Sequence, residues 1–486
     1  MPTTLNLATP GVYIQEIPVI PSSIVSVPTA VPVFVGYTEK AIQGNKNLTN
    51  VPFQIDSLLD YSQFFGGALP EPGISVAIDA TVMPPVATPL VNEATRSKYL
   101  MYYAVQLYFA NGGGTCYIHS IGPYNTANPV INLSDFLDSS ELFRPELEKH
   151  TDITLVVCPD ALGMATAANY YSLQSAAIAH CIKMQNRMAV MDVYRTAGNL
   201  WQQDVAVLRN ADQSTPPVPG LVVQDPENFK FAAVYFPRIK TIQQFNFTDA
   251  LVNVTLTQAS GQTTTTLDKL KAANSQAYYA AENAIKNNLE MLMPAAPALV
   301  GIYAAVDDSS GVWKAPANVG ILDVQDLEEQ VSAQEQGQYL NIDPVAGLSV
   351  NAIRSFPGRG PAIVWGARTL AGNDNEWRYI PVRRFFFMVE QSVKNAIEPF
   401  VFEPNDNNTW TRVTAMIVNY LTEQWRAGAL MGTSTKDAFF VRVGLGVTMT
   451  AQDVLEGRMI VQIGMAVVRP AEFIILQFLQ MMPAQS

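Results

Sequence analysis

Five short runs in the first half of this 486-residue chain are apolar nearly throughout: Val33–Tyr37, Thr115–Ser120, Ile153–Cys158, Met188–Val193 and Phe231–Phe236. A strand with one wet face alternates apolar and polar residues, so runs without alternation point to strands covered on both sides. Between them lie stretches with apolar residues at helical spacing, Ala94–Ala110 (Leu100, Tyr103, Ala104, Leu107, Tyr108) and Tyr170–Gln185. The combination predicts an α/β fold, with a layered middle domain. Asn111-Gly112-Gly113-Gly114 is expected to end the first helix and turn the chain into a strand.

Two segments read as excursions from that core. Ala211–Gly220, with Thr215-Pro216-Pro217-Val218-Pro219, is expected to be a loop, and Phe245–Leu267 a β-hairpin turning at Ser260-Gly261 ahead of a helix at Tyr278–Leu292. Composition shifts around Asn341–Pro344. A strand-like Ala362–Trp365 follows, then helical patterns at Val382–Phe400 and Asn408–Ala427 and strand patterns at Ala438–Val443 and Arg458–Val468. These outline a C-terminal α+β domain.

Both ends read as extended arms. Glu16 is the one charged residue from Met1 to Thr38, and Pro10, Pro18, Pro21, Pro28 and Pro32 exclude helix there while tolerating a sheet edge. Phe473–Leu479 gathers strand-forming apolar residues at a place where chains are normally polar. The expected division is an arm at 1–27, a middle domain at 28–340, a C-terminal domain at 341–470 and an arm at 471–486. Such arms either add strands to neighbouring copies or complete a sheet of their own subunit, and the residues alone leave both open.

Charge and chemistry narrow the function. A formal net charge of −12 argues against a nucleic-acid partner, which would need a basic excess. The acid is unevenly placed, with 13 Lys and Arg against 11 Asp and Glu from Arg354 onward and 17 against 31 before it. No run approaches the roughly 20 apolar residues that span a bilayer, and the start of the chain has no basic signal region, so folding in the cytosol without membrane insertion is expected. Cys116, Cys158 and Cys181 read as small buried hydrophobes, and His119, His150 and His180 fit no metal or nucleophile-base pattern. HExxH, GxSxG and GxxxxGK[ST] are all missing, so no enzyme activity, cofactor or metal is expected. The C-terminal third instead sets Arg359, Arg368, Arg378, Arg383 and Arg384 among aromatic residues. These would serve an interface or brace their own domain through Glu390, Glu398, Glu403 and Asp406.

Ordered motifs over nearly the whole chain resemble contractile tail sheath proteins of phages and phage-tail-like injection machines. They are Pro10-Gly11-Val12-Tyr13-Ile14 with Thr29-Ala30 and Val33–Gly36, Gly311–Asn318, Asn351–Arg354 with Phe356–Gly360, Trp365–Arg368, Glu376–Arg384, Val401–Asp406, Trp425–Leu430, Ala438–Val441 and Pro470–Phe473. The stretch after Val441, Arg442–Met449, departs from the acidic, Asn-containing turn of that family. The resemblance implies a middle domain of subtilisin-like fold, here without a triad, and a structural subunit whose hexameric rings stack helically around an inner tube. It further implies that arms add strands to neighbours and that contraction drives the tube through a target envelope. Val12, Tyr13, Ile14 and Ile17, with Phe473, Ile475 and Phe478, would then be strand donors. Phe439, Val441, Val443, Ile460 and Ile463 would form the acceptor edge. Bending is expected near Ser22–Thr29 and Arg469–Ala471. Arg412, Glu423, Arg426, Lys436 and Asp437 are candidates for touching the tube, or else an ordinary solvated helix face. Implied partners are copies of itself, the inner tube protein, and baseplate and terminal cap proteins. Assembly is expected in the cytoplasm, into a phage tail or an extracellular or cell-anchored particle. The rival readings are a non-contractile self-assembling surface module and a catalytically inactive subtilisin-like protein.

Overall fold

The computed structural model describes residues 24–475, apart from 94, 127–128, 139, 141, 212 and 344. The chain divides into two compact units. Among the described residues, one is Val27–Gln391 with 467–475, the other Ser392–Ala466 with 24–26.

The larger unit is built on an eight-stranded sheet. Its strands are β1 (Pro32–Thr38), β2 (Phe53–Ile55), β3 (Cys116–Pro123), β4 (Leu155–Val157), β5 (Met188–Asp192), β6 (Ala232–Phe236), β7 (Asn351–Phe356) and β8 (Gly360–Val364), in the spatial order β8-β7-β6-β5-β4-β1-β3-β2. The six inner strands are parallel, and β8 and β2 pair antiparallel at the edges. Each of the five all-apolar runs contributes one of these strands. Every residue of β1, β4, β5 and β6 is buried, as expected of strands covered on both faces.

Two of the helices of this unit start where a carboxylate distant in sequence caps them. Helix α1 (Met101–Ala110) begins later than the apolar periodicity from Ala94 suggests. The buried carboxylate of Asp160 accepts the amides of Leu100 and Met101 at 2.5 and 3.0 Å and that of Tyr37 in β1 at 2.8 Å. It satisfies donors that a helix end otherwise leaves open. A β-carbon on Gly36 would lie 2.4 Å from the same carboxylate, so this strand position must be glycine. Asn111 caps the end of α1, and Gly112 follows with φ of 91°, a left-handed geometry that suits glycine. Helix α2 (Ala167–Met184) opens on Thr166, whose hydroxyl accepts the Asn169 amide. Helix α3 (Ala296–Ser310) was not visible in the periodicity because its first half is buried all round. Asp192, the last residue of β5, accepts the Ala295 and Ala296 amides at its start.

The hairpin at Asn253–Gln258 and Gly261–Thr266 is present, but it is half of a larger object. Its first strand pairs in parallel with Ile74–Asp79, which pairs antiparallel with Val86–Val91. Segments far apart in sequence thus share one four-stranded sheet.

Residues 341–391, expected to open the C-terminal domain, cluster with the larger unit. The cause is β7 and β8, which extend the main sheet; β8 is in turn covered by the backbone of Asn318–Ile321. The division falls inside helix α4 (Ile380–Ile397), at Gln391 and Ser392. The smaller unit holds helix α5 (Asn407–Arg426) and a two-stranded antiparallel sheet of β9 (Phe439–Arg442) and β10 (Gln462–Met465). In α5, Val413, Ile417 and Leu421 of the apolar spacing are buried together with Thr409, Met416 and Tyr420, while Trp410 and Trp425 of the same spacing are half-buried.

Candidate functional site

A two-stranded sheet satisfies backbone groups on only one side of each strand. Among the described residues, β9 and β10 pair with each other alone. The register sets Phe439 against Met465, Phe440 against Gly464, Val441 against Ile463 and Arg442 against Gln462. Phe439, Val441 and Ile463 of the expected acceptor edge therefore lie in the sheet. Val443 and Ile460 flank it, and the Ile460 carbonyl accepts from Thr448 Oγ1. The Arg442 guanidinium sits 4.7 Å over the Phe440 ring.

Of the expected strand donors, Val12, Tyr13, Ile14, Ile17 and Phe478 lie outside the described residues. Phe473 and Ile475 are 73% and 81% exposed, and Ile474 between them is 79% exposed. Three consecutive large apolar side chains in water form a surface that single scattered hydrophobes do not.

The polar residues named for tube contact separate into kinds. Arg412, Glu423 and Arg426 share one flank of α5, since steps of 11 and 14 residues return to within about 40° on a helix. Arg412 stacks over Phe400 at 5.0 Å and stands 4.0 Å from Glu403. Lys436 is exposed. Asp437 accepts from the hydroxyls of Ser434 and Thr433, which hold its carboxyl below the usual carboxylate range.

The arginines of the 359–384 segment brace their own chain, mostly through partners other than those expected. Arg383 reaches Glu390 at 3.5 Å and lies 4.2 Å over Phe387. Arg359 bonds Asn318, and Arg378 bonds Asn375. Arg368, buried, forks onto Glu472 at 2.7 and 2.5 Å, with Tyr379 donating to the same carboxylate at 3.2 Å. Arg384, also buried, forks onto Asp307 at 3.0 and 2.5 Å and donates to the Thr29 carbonyl at 3.0 Å. The Thr29 hydroxyl donates to the same Asp307. Trp365–Arg368 and Pro470–Phe473, far apart in the chain, meet through Arg368 and Glu472, and Thr29-Ala30 meets the Glu376–Arg384 motif through Thr29 and Arg384. Neither pairing has a local signal in the sequence.

A model of the phage tail sheath C-terminal domain matches residues 372–480. A comparison with curated proteins yields no match. Among solved structures, the chain is similar to a component of the anti-feeding prophage (AFP) helical sheath in the contracted state, at 29% identity over 97% of this chain and 99% of that one, with a TM-score of 0.62. It is similar to a chain of the AFP baseplate at 29% identity over 98% and 99%, TM-score 0.61. It is also similar to a chain of the PVC sheath complex of an extracellular contractile injection system, contracted, at 29% identity over 98% and 99%, TM-score 0.60.

Residues 372–480 thus carry the phage tail sheath C-terminal domain, and over nearly its whole length the chain is homologous to contractile sheath proteins. As a sheath protein it is a structural subunit, and its buried ionisable groups read accordingly. His119 packs in β3 with burial pushing its imidazole down to about 3, and His180, lowered to about 4 by burial and Arg187, lies 3.2 Å from that guanidinium. All three cysteines are buried free thiols. Among the described residues, no group of three or more His, Cys, Asp and Glu could hold a metal, and no helix is long and apolar enough to cross a membrane.

Proposed function

We propose that this sheath protein forms hexameric rings that stack helically around an inner tube, joined by strands that its arms add to neighbouring copies. The observation that carries the reading is that, among the described residues, β9 and β10 form a sheet of two strands only, in a chain that also exposes Phe473, Ile474 and Ile475. The donors would be Val12, Tyr13, Ile14 and Ile17 at one end and Phe473, Ile475 and Phe478 at the other. The acceptor would be the surface around Phe439, Val441, Val443, Ile460 and Ile463. Each added strand supplies several backbone hydrogen bonds, at roughly 0.5–1.5 kcal/mol net apiece, plus apolar burial. That is enough to keep rings linked while subunit bodies rotate.

Contraction then needs no nucleotide. The stack is built in an extended state and relaxes to a wider, shorter one that buries new surface, and the gain summed over copies drives the tube forward. Relatives solved as contracted sheaths and within a baseplate support this reading and a baseplate partner. The tube contact is assigned to the flank of α5 carrying Arg412, Glu423 and Arg426, with Lys436 and Asp437 beside it; a terminal cap protein completes the set. The particle assembles in the cytoplasm and works as an injection machine, and the larger unit acts as a subtilisin-like scaffold without catalysis.

The test is electron microscopy of the protein expressed alone and with its genomic neighbours. Hollow ridged tubes, longer and narrower when the inner tube is present, are expected. Uniform small particles under both conditions would refute the proposal in favour of arms that close on their own subunit.

A further inference from the structure

The roots of both arms are held by one segment of the larger unit, residues 368–384. At its start, Arg368 grips Glu472 immediately before the exposed Phe473, with two parallel bonds and the Tyr379 hydroxyl as a third. At its end, Arg384 grips Asp307 with two bonds and the Thr29 carbonyl with a third, and Thr29 closes the ring through its hydroxyl. Two-pronged guanidinium–carboxylate pairs fix direction as well as distance, which a lysine would not.

The segment between the grips is itself stiff. Arg368 bridges Tyr379, the Thr369 amide donates to the Arg378 carbonyl at 2.8 Å, and the Ile380 amide donates to the Ala367 carbonyl at 3.0 Å. Arg383 is packed over Phe387, Trp377 and Phe231 at 4.2, 4.7 and 4.9 Å. Thr29 is tied a second time, its carbonyl accepting from Thr154 Oγ1 at 2.9 Å.

We propose that residues 368–384 are a single brace that fixes where both arms leave the body, with Arg368 and Arg384 as its positioning residues. Bending is thereby confined to the chain before Thr29 and after Glu472, and Arg469–Ala471 does not serve as a hinge. A displacement of a neighbour's sheet is delivered to α3 and α4 instead of being absorbed in slack linkers. This rests on reading the arms as links between copies.

The experiment compares the full-length wild type with Glu472→Gln, which keeps the side chain's size, and with Arg368→Lys, which keeps the charge but not the fork. Amide hydrogen exchange is read over 467–475 and over β5 and β6. The expected result is exchange faster by on the order of tenfold or more at 470–475 in Glu472→Gln, an intermediate rise in Arg368→Lys, and no change in the strands. In particles, the same variants should give tubes with irregular ring stacking. Unchanged exchange at 470–475 would overturn the proposal. So would loss of protection throughout both variants, since the pair would then belong to the core and not to an arm's root. Absence of tubes from the wild type would refute the sheath assembly, while the exchange result would still decide the brace.

Discussion

Gly464 lies directly opposite Phe440 across β9 and β10, and the aromatic ring fills the space that a β-carbon on residue 464 would need, at 2.2 Å. The glycine is thus a packing partner of the ring in the sheet proposed to accept neighbours' strands.

Gly464→Ala is expected to force the ring away and cost about 1–3 kcal/mol by chemical denaturation. Adding Phe440→Ala should recover much of that loss, because the two positions share one space. Additive losses would show that the strands repack independently.

Asp307 and Arg384 are both buried, at 8% and 2% side-chain exposure. Asp307→Ala strands a buried cation and is expected to cost about 3–5 kcal/mol, whereas Asp307→Leu with Arg384→Met should cost less than the single change. Thermal melts of the three chains check the order.

Burial pushes the carboxyls of Asp160 and Asp192 up to about 7, although amide donors from the starts of α1 and α3 pull the other way. A carboxyl with a raised folded-state value holds its proton more tightly folded than unfolded. Its stabilising contribution is therefore complete below about 4 and is lost as pH rises through 7. Asp192→Asn should lower stability at pH 5 but flatten the decline between pH 5 and 8, read by urea midpoints at both values. A variant with the wild-type slope would show that the group stays ionised throughout.

Phe473, Ile474 and Ile475 are largely exposed to water among the described residues. Phe473→Asp with Ile475→Asp is expected to leave subunit stability within about 0.5 kcal/mol while abolishing tubes. Normal tubes from this variant, by sedimentation and electron microscopy, would exclude the described part of this arm as a link.

Legible in the sequence were the five apolar runs as doubly covered strands, helical patterns at 94–110, 170–185, 382–400 and 408–427 that overlap the four helices, and the resemblance to sheath proteins. Those are local facts, since period and motif are written in neighbouring residues. Tertiary structure alone decided that β1 sits between β4 and β3, that Ile74–Asp79 joins the distant hairpin at Asn253–Thr266, and that α1 starts where Asp160 caps it. It also decided that residues 341–391 extend the larger unit and that Arg368 finds Glu472. Each of these pairings joins residues far apart in the chain. Which ones form depends on loop closure, on shared burial and on the pairing of buried charge, none of which leaves a periodic trace.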